Sequence, residues 1–421
     1  MKDEREISDL PLGPYRVLDL TEGGFNWCGK VLADLGADVI KVEPPQGSPT
    51  RSRGPFYLDD PNPERSLFWY AYCLNKRGIT LDLETRDGHD IFTDLVRKSD
   101  FVIESYPPGY LDELGLGYDS LSCANRGLIM TSISPNGQTG PHAQHKAPDI
   151  VAWSMGGMQH LAGDTDRPPV RIGFPQAELN AGAQAAAGSM VAFWHRQRTG
   201  EGQHVDVSMQ VAVIWTLMSA TAFPPLHNVN LERAGAYRTG GAVRTKGVFP
   251  CKDGYVSVVF NGSGFISPMV RWMEEEGVTP EFMALGNWDS WTPGELSARG
   301  DEGLAELRAL EQHIGEFLIT KTKVELFQRA LEHRILLAPC NTVQDNWESP
   351  QLKARGFWTQ MHHPDLDASL TYTGPFIKFS ETPIRTRHLA PRLGQHNYEV
   401  FVTELGLAED RMTQLQAQGV I

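Results

Sequence analysis

The chain has 421 residues, enough for about two to three domains and a large buried core. Hydrophobic residues make up 41% and charged residues 21%, the make-up of an ordinary soluble globular protein, and 38 Lys plus Arg against 52 Asp plus Glu give a net charge of −14. That balance argues against a nucleic-acid or anionic-membrane surface, so an anionic ligand must be met by a local cluster of cations. The five cysteines, Cys28, Cys73, Cys123, Cys251 and Cys340, are odd in number and never in CxxC spacing, which points to a reducing compartment and against a disulfide frame or zinc site. The thirteen histidines show no HxxxH or HExxH pairing, so no metal is expected. The charged start of the chain lacks the apolar core of a signal peptide, and the apolar run nearest to a membrane span, residues 211–222, is too short. A cytoplasmic location is expected.

In chain order, residues 15–20 (YRVLDL) read as a strand ending in a TEGG turn, and Trp27, Val31, Leu32 and Leu35 recur at helical spacing until Gly36. Residues 38–43 (DVIKVE) read as a second buried strand, and strand, helix and strand in so short a span imply a parallel, right-handed crossover. The turn lacks GxGxxG, so a dinucleotide site, and with it a dehydrogenase, is not supported. Residues 44–63 are rich in Pro, Gly, Ser and Asp and read as a loop, whose Arg51 and Arg53 are expected in solvent. Residues 75–83 (NKRGITLDL) put Lys76 and Arg77 at the mouth of another strand. Residues 85–98 form an amphipathic helix capped by Thr85, and 101–104 and 128–134 are further strands. This alternation means an α/β domain with an open, mostly parallel, Rossmann-like sheet. Ligands of such sheets sit past the carboxyl ends of the strands, where TEGG, SYPPG and PNGQTG fall.

Residues 168–202 organise the rest. Ala181, Ala183, Ala185 to Ala187 and Ala192 supply helix propensity, Gly182 and Gly188 admit a close backbone, and Arg196, Arg198, Gly200 and Gly202 end the helix. Glu178 stands in the first turn. The helix dipole favours an acid there whatever its role, so a dipole-satisfying residue and a functional carboxylate are both open readings.

Residues 204–209 read as a strand and 211–222 as an apolar helix. A Pro- and Gly-rich linker follows, then a hairpin turning at Lys252 to Gly254 and helical patterns over 267–276 and 302–319. The expected division is a large domain over 1–222, a linker and small α/β domain over 223–345, and a return segment over 346–421 completing the large domain, its tail mainly helical.

The motifs VLDLTEGG, LADLGADVIKVEPPQG, NKRGITLDL, ESYPPGYLDELGLGYDSL, SISPNGQTGP, APDIVAWSMGGM and HRQRTGEGQHVDVSM, in this order, resemble the class III coenzyme A transferases of the formyl-CoA and carnitine type. The resemblance implies a large domain holding CoA, a small domain inserted late, and two subunits threaded through one another as an interlocked dimer. It implies no prosthetic group: acyl-CoA and a carboxylic acid are the substrates, and a carboxylate is the nucleophile. That position falls on Glu178, where the family has Asp; the extra carbon moves the carboxylate by roughly 1.5 Å. Gly23, Gly24, Lys76, Arg77, Tyr106, Lys146 and Asp149 match positions around CoA, with Lys76 and Arg77 at its ADP moiety and Lys146 near the thioester; surface charge is the other reading of these cations. The segment usually reading AGP is here GGFNWCG, and Glu113 stands where Arg or Lys is common. The related racemases need a histidine where this chain has Pro148, which disfavours racemisation. Some members of the family are heteromeric, including the benzylsuccinate type, so the chain reads either as an active transferase subunit or as a silent one beside an Asp-bearing paralogue. The NGSG turn, residues 261–264, reads as a lid over the reacting groups or as a plain hairpin-end turn.

Overall fold

The computed structural model describes residues 10–238 and 244–421. It resolves into two compact units: one holds the chain up to Met158, Ile172–Met218 and Gln351–Ile421, the other Gln159–Arg171 and Ser219–Pro350. Residues 159–171, read from sequence as part of the large domain, thus group with the second unit.

The first unit is built on six strands, β1 (Arg16–Leu20), β2 (Asp38–Glu43), β3 (Lys76–Thr80), β4 (Phe101–Glu104), β5 (Ile129–Ser134) and β6 (His204–Ser208), in the order β3-β2-β1-β4-β5-β6. Every neighbouring pair is parallel. Central parallel strands are covered on both faces, which is why β1, β4 and β5 are buried almost from end to end, polar residues included. Successive side chains alternate between the two cores. Val17 packs with Val39, Phe101 and Ile129 on one face, and Leu18 with Ile40, Val42 and Val102 on the other.

The first face is covered by α1 (Asn26–Asp34), α2 (Asp149–Met155), α3 (Ala177–Thr199) and α4 (Met209–Trp215). Buried Ala177, Ala181, Ala185 and Ala192 let α3 lie close. Gly182 faces α1 so tightly that a methyl there would stand 3.1 Å from Trp27 Cβ and 3.3 Å from the Cys28 nitrogen. The expected apolar helix over 211–222 stops early, because Thr216 turns its hydroxyl back onto the Val213 carbonyl at 2.7 Å and Leu217 N–H bonds Ile214 at 2.8 Å, a tighter turn than an α-helix continues.

The second unit carries an antiparallel sheet of β7 (Val248–Cys251), β8 (Gly254–Val258) and β9 (Leu337–Pro339), with α5 (Ser267–Glu275), α6 (Gly300–Leu318) and α7 (Lys323–His333) around a core that includes Phe249, Phe260, Trp272, Trp291, Ile314 and Phe317. The third strand and α7 were not read from the sequence. The NGSG turn is an Asn-capped turn at the entrance to α5: Asn261 accepts from Gly264 N–H at 3.0 Å. Gly262 is required there, since a side chain would meet the Trp288 carbonyl at 2.0 Å.

The chain returns to the first unit as a hairpin, β10 (Trp358–His363) with β11 (Ala368–Thr373), and ends in α8 (Glu409–Ala417). This segment closes the outer edge of β3. His396 Nδ1 accepts from Gly78 N–H at 3.0 Å, Asn397 Oδ1 from Thr80 N–H at 2.9 Å, and the Val420 carbonyl from Asp82 N–H at 2.8 Å. Among the described residues no single helix is long and apolar enough to cross a membrane; one bent pair, Met209–Trp215 with Met218–His227, meets that test only jointly.

Candidate active site

The site forms where β1 ends, and buried charge shapes that end. Asp19, the last polar residue of β1, is fully buried; its Oδ2 accepts from Lys76 Nζ at 2.7 Å and its Oδ1 from the Thr21 N–H and hydroxyl at 2.9 and 2.6 Å. Burial alone would raise its carboxyl, but the Lys76 and Lys41 ammoniums outweigh this and hold it below the usual carboxylate range. Lys41 also donates to the Thr21 carbonyl. Glu22 then accepts from Thr50 Oγ1 at 2.5 Å and from Ser48, while Thr50 Oγ1 accepts Gly23 N–H at 2.8 Å. The TEGG loop is pinned from below and beside, and its next free donor, Gly24 N–H, points outward.

That donor meets Glu178. The second residue of α3, Glu178 places Oε2 2.7 Å from Gly24 N–H and 2.9 Å from Arg53 Nη1. Its backbone N–H, one of the unpaired donors of the helix start, is capped by Asp149 Oδ1 at 3.0 Å. Asp149 begins α2, so the two helix starts are tied together at Glu178. The Glu178 side chain is 15% exposed, partly sheltered yet open to a reactant. Arg53, expected in solvent, keeps 36% of its side chain exposed, with its guanidinium 4.4 Å over the Phe68 ring and one nitrogen on Glu178. Arg51 departs from expectation: it is buried, forked onto Glu43 at 2.6 and 2.8 Å and stacked on Trp69 at 3.9 Å.

Gly23, Gly24, Asp149 and Glu178 are therefore brought together. Tyr106 lies at the end of β4 on the same edge of the sheet, joined to the loop through Ser105, whose hydroxyl accepts Glu22 N–H at 2.9 Å. Burial, then the nearby Glu22 carboxylate, pushes the Tyr106 hydroxyl above the ordinary phenol range. Its backbone N–H donates to Glu104 at 2.6 Å, a carboxyl that burial pushes up to about 7 against the pull of Ser132 and that N–H. Lys146 is exposed on the loop leading to Asp149. Lys76 and Arg77 are placed otherwise than expected. The Lys76 ammonium is buried against Asp19 and the Asn26 carbonyl, and Arg77 is committed to Asp38, Glu399 and Glu404 at the amino end of β3. In this arrangement both charges are paired inside the unit. A cavity of about 1140 Å³, lined among others by Arg16, Asp38, Arg77 and His396, lies at those amino ends, the opposite end of the sheet from Glu178. Among the described residues no group of three or more His, Cys, Asp or Glu is arranged to hold a metal ion.

Comparison with known proteins adds three findings. The model of the family described as CoA-transferase family III matches residues 12–397. The chain is 34% identical, over 97% of its own length and 97% of the relative's, to the succinyl-CoA:(R)-benzylsuccinate CoA-transferase subunit BbsE of Thauera aromatica, and 34% identical, over 98% of each, to the succinyl-CoA--D-citramalate CoA-transferase of Chloroflexus aurantiacus. Among solved structures it is similar to a CAIB/BAIF family protein from Brucella suis, with a TM-score of 0.79 and 28% identity over 94% of this chain and all of that one.

Proposed function

The chain belongs to CoA-transferase family III, a family of enzymes that use CoA thioesters as substrates, and from that premise we propose that it moves CoA from an acyl-CoA such as succinyl-CoA to a second carboxylic acid through covalent intermediates on Glu178. The observation that carries this reading is the convergence of Gly24 N–H and Arg53 on the Glu178 carboxylate, at the end of the sheet where ligands of this fold sit. In the proposed sequence a Glu178 oxygen attacks the thioester carbonyl, the carbon–sulfur bond breaks, and a mixed anhydride and free CoA thiolate result. The thiolate then attacks Glu178 Cδ; the donor acid leaves with the attacking oxygen, and Glu178 holds CoA as a thioester. The acceptor acid repeats both steps in reverse and departs as the new acyl-CoA. Covalent catalysis suits this exchange because acid and thioester need never meet directly. Asp149 fixes the first turn of α3, which keeps the carboxylate at the loop.

Incubation with succinyl-CoA followed by hydroxylamine or borohydride, and mapping of the modified residue by mass spectrometry, tests the reading: modification at Glu178, lost in Glu178→Gln, is expected. A second reading, a silent subunit beside an active paralogue, is favoured by the likeness to a relative named as a subunit and by the ion pair that already neutralises Glu178. It predicts no labelling of this chain. In either case a partner chain, identical or paralogous and interlocked as the family resemblance implies, is part of the proposal. Exposed Val191 and Trp194 on α3 and Trp215 on α4 support a surface that another chain covers. Chain mass in solution by light scattering checks it.

A further inference from the structure

We infer that Arg53 is a catalytic residue that separates the roles of the two Glu178 oxygens; the inference rests on Glu178 being the nucleophile. Among the described residues the two donors to the Glu178 side chain converge on the same atom, Oε2, rather than being shared over the carboxylate: Gly24 N–H at 2.7 Å and Arg53 Nη1 at 2.9 Å. Arg53 is itself built into place. Its carbonyl accepts from the Ser66 hydroxyl at 2.6 Å and its guanidinium lies over Phe68. Gly23, at φ +58°, leaves the space it needs, since a methyl there would stand 2.5 Å from Nη1. An anchored Oε2 makes Oε1 the attacking oxygen.

The consequence follows through each bond. When Oε1 bonds the acyl carbon and CoA thiolate departs, Oε2 becomes the carbonyl oxygen of the glutamyl half of the anhydride. When the thiolate bonds Cδ, the electron pair of that carbonyl moves onto Oε2, where Arg53 and Gly24 N–H already stand; it returns as the Cδ–Oε1 bond breaks and the donor acid leaves with Oε1. The acceptor carboxylate then bonds Cδ, with the same charge on the same oxygen. Arg53 thus supplies a preorganised cation at the atom that gains charge in both steps at Cδ. One oxygen of Glu178 is exchanged with substrate at every turnover and the other is retained.

The test uses the full-length protein, succinyl-CoA and succinate labelled with ¹⁸O in every carboxylate position. Over many turnovers the wild type takes up one ¹⁸O at Glu178, read by peptide mass spectrometry, and stops there. Arg53→Met releases Oε2, so label proceeds to two oxygens, kcat falls on the order of a hundredfold to a thousandfold, and KM for succinyl-CoA holds within a few-fold. Arg53→Lys, which keeps a charge without the fork, restores part of the rate. Two labels in the wild type at the turnover rate, or an unchanged rate and label in Arg53→Met, overturn the role of Arg53 while leaving Glu178 as nucleophile. A wild type that takes up no label overturns the nucleophile itself, and this inference with it.

Discussion

Gly24→Ala probes the contact on which the site turns. A methyl at residue 24 would stand 2.7 Å from Glu178 Cβ and 2.8 Å from Oε2, and 3.5 Å from Leu179 Cδ2. Non-bonded carbons rest about 3.5–4.0 Å apart, so the loop and the start of α3 must part by roughly 1 Å. Neither yields easily. The loop is held by Asp19, Lys41 and Thr50, and α3 by the close approach of Gly182 to α1. The displacement therefore falls on the Glu178 side chain, which leaves the Gly24 N–H. Overpacking of this kind costs about 1–3 kcal/mol, within the margin of a protein this size, whereas a misplacement of about 1 Å at a reacting group costs on the order of a hundredfold in rate. Initial rates of CoA transfer from succinyl-CoA to a dicarboxylic acid, followed by chromatography of the thioesters, should show kcat down about a hundredfold with KM nearly unchanged. Thermal melting by circular dichroism should show the variant still folded at the assay temperature. A folded variant with a rate within about threefold of wild type would refute the proposal that this contact positions Glu178 for the reaction.

Other outcomes are expected elsewhere in the first unit. Lys76→Met leaves the buried Asp19 carboxylate with only the Lys41 ammonium, 3.9 Å away, and Thr21 as partners, and should cost about 3 kcal/mol in denaturant unfolding; a raised KM for acyl-CoA with unchanged stability would place Lys76 at the cofactor instead. Burial raises Glu104 from 4.5 to about 7, so the folded protein binds this proton more tightly than the unfolded chain. Its contribution is complete below about pH 4.5 and is lost as pH rises through about 7, near 1.4 kcal/mol per pH unit at most, so urea unfolding at pH 5 and pH 8 should differ more for wild type than for Glu104→Gln. Parallel behaviour of the two proteins would remove Glu104 from the account. Gly182→Leu should force α3 off α1 and lower the melting temperature by several degrees, with transfer activity falling alongside because Glu178 rides on α3; a variant that melts with wild type would show that the helices have room to spare.

The sheet and the long helix were legible because their signals are local. Short runs without a charged residue inside them, such as FVIE and LIMTSIS, read as buried strands, and the alanines of α3 reveal both its span and its close neighbour. Glu178 was legible by position in a motif. Its donor Arg53 was not, because the pair lies 125 residues apart in sequence and a lone arginine in a Pro-rich loop looks solvated. The same blindness misplaced Lys76, whose partner Asp19 is 57 residues away on another strand, and Arg51, which Glu43 and Trp69 bury. Long charged side chains are assigned to water unless a partner is known, and only the fold supplies the partner.

The closure of β3 by residues 396–420 has a consequence for biosynthesis. His396 is translated 318 residues after the glycine it covers, which at about 5–20 residues per second leaves a hydrogen-bonding sheet margin bare for between roughly a quarter of a minute and a minute. Throughout that interval a nascent chain on one ribosome offers a template to the next along the same message, so crowded polysomes are where this polypeptide is most prone to clump.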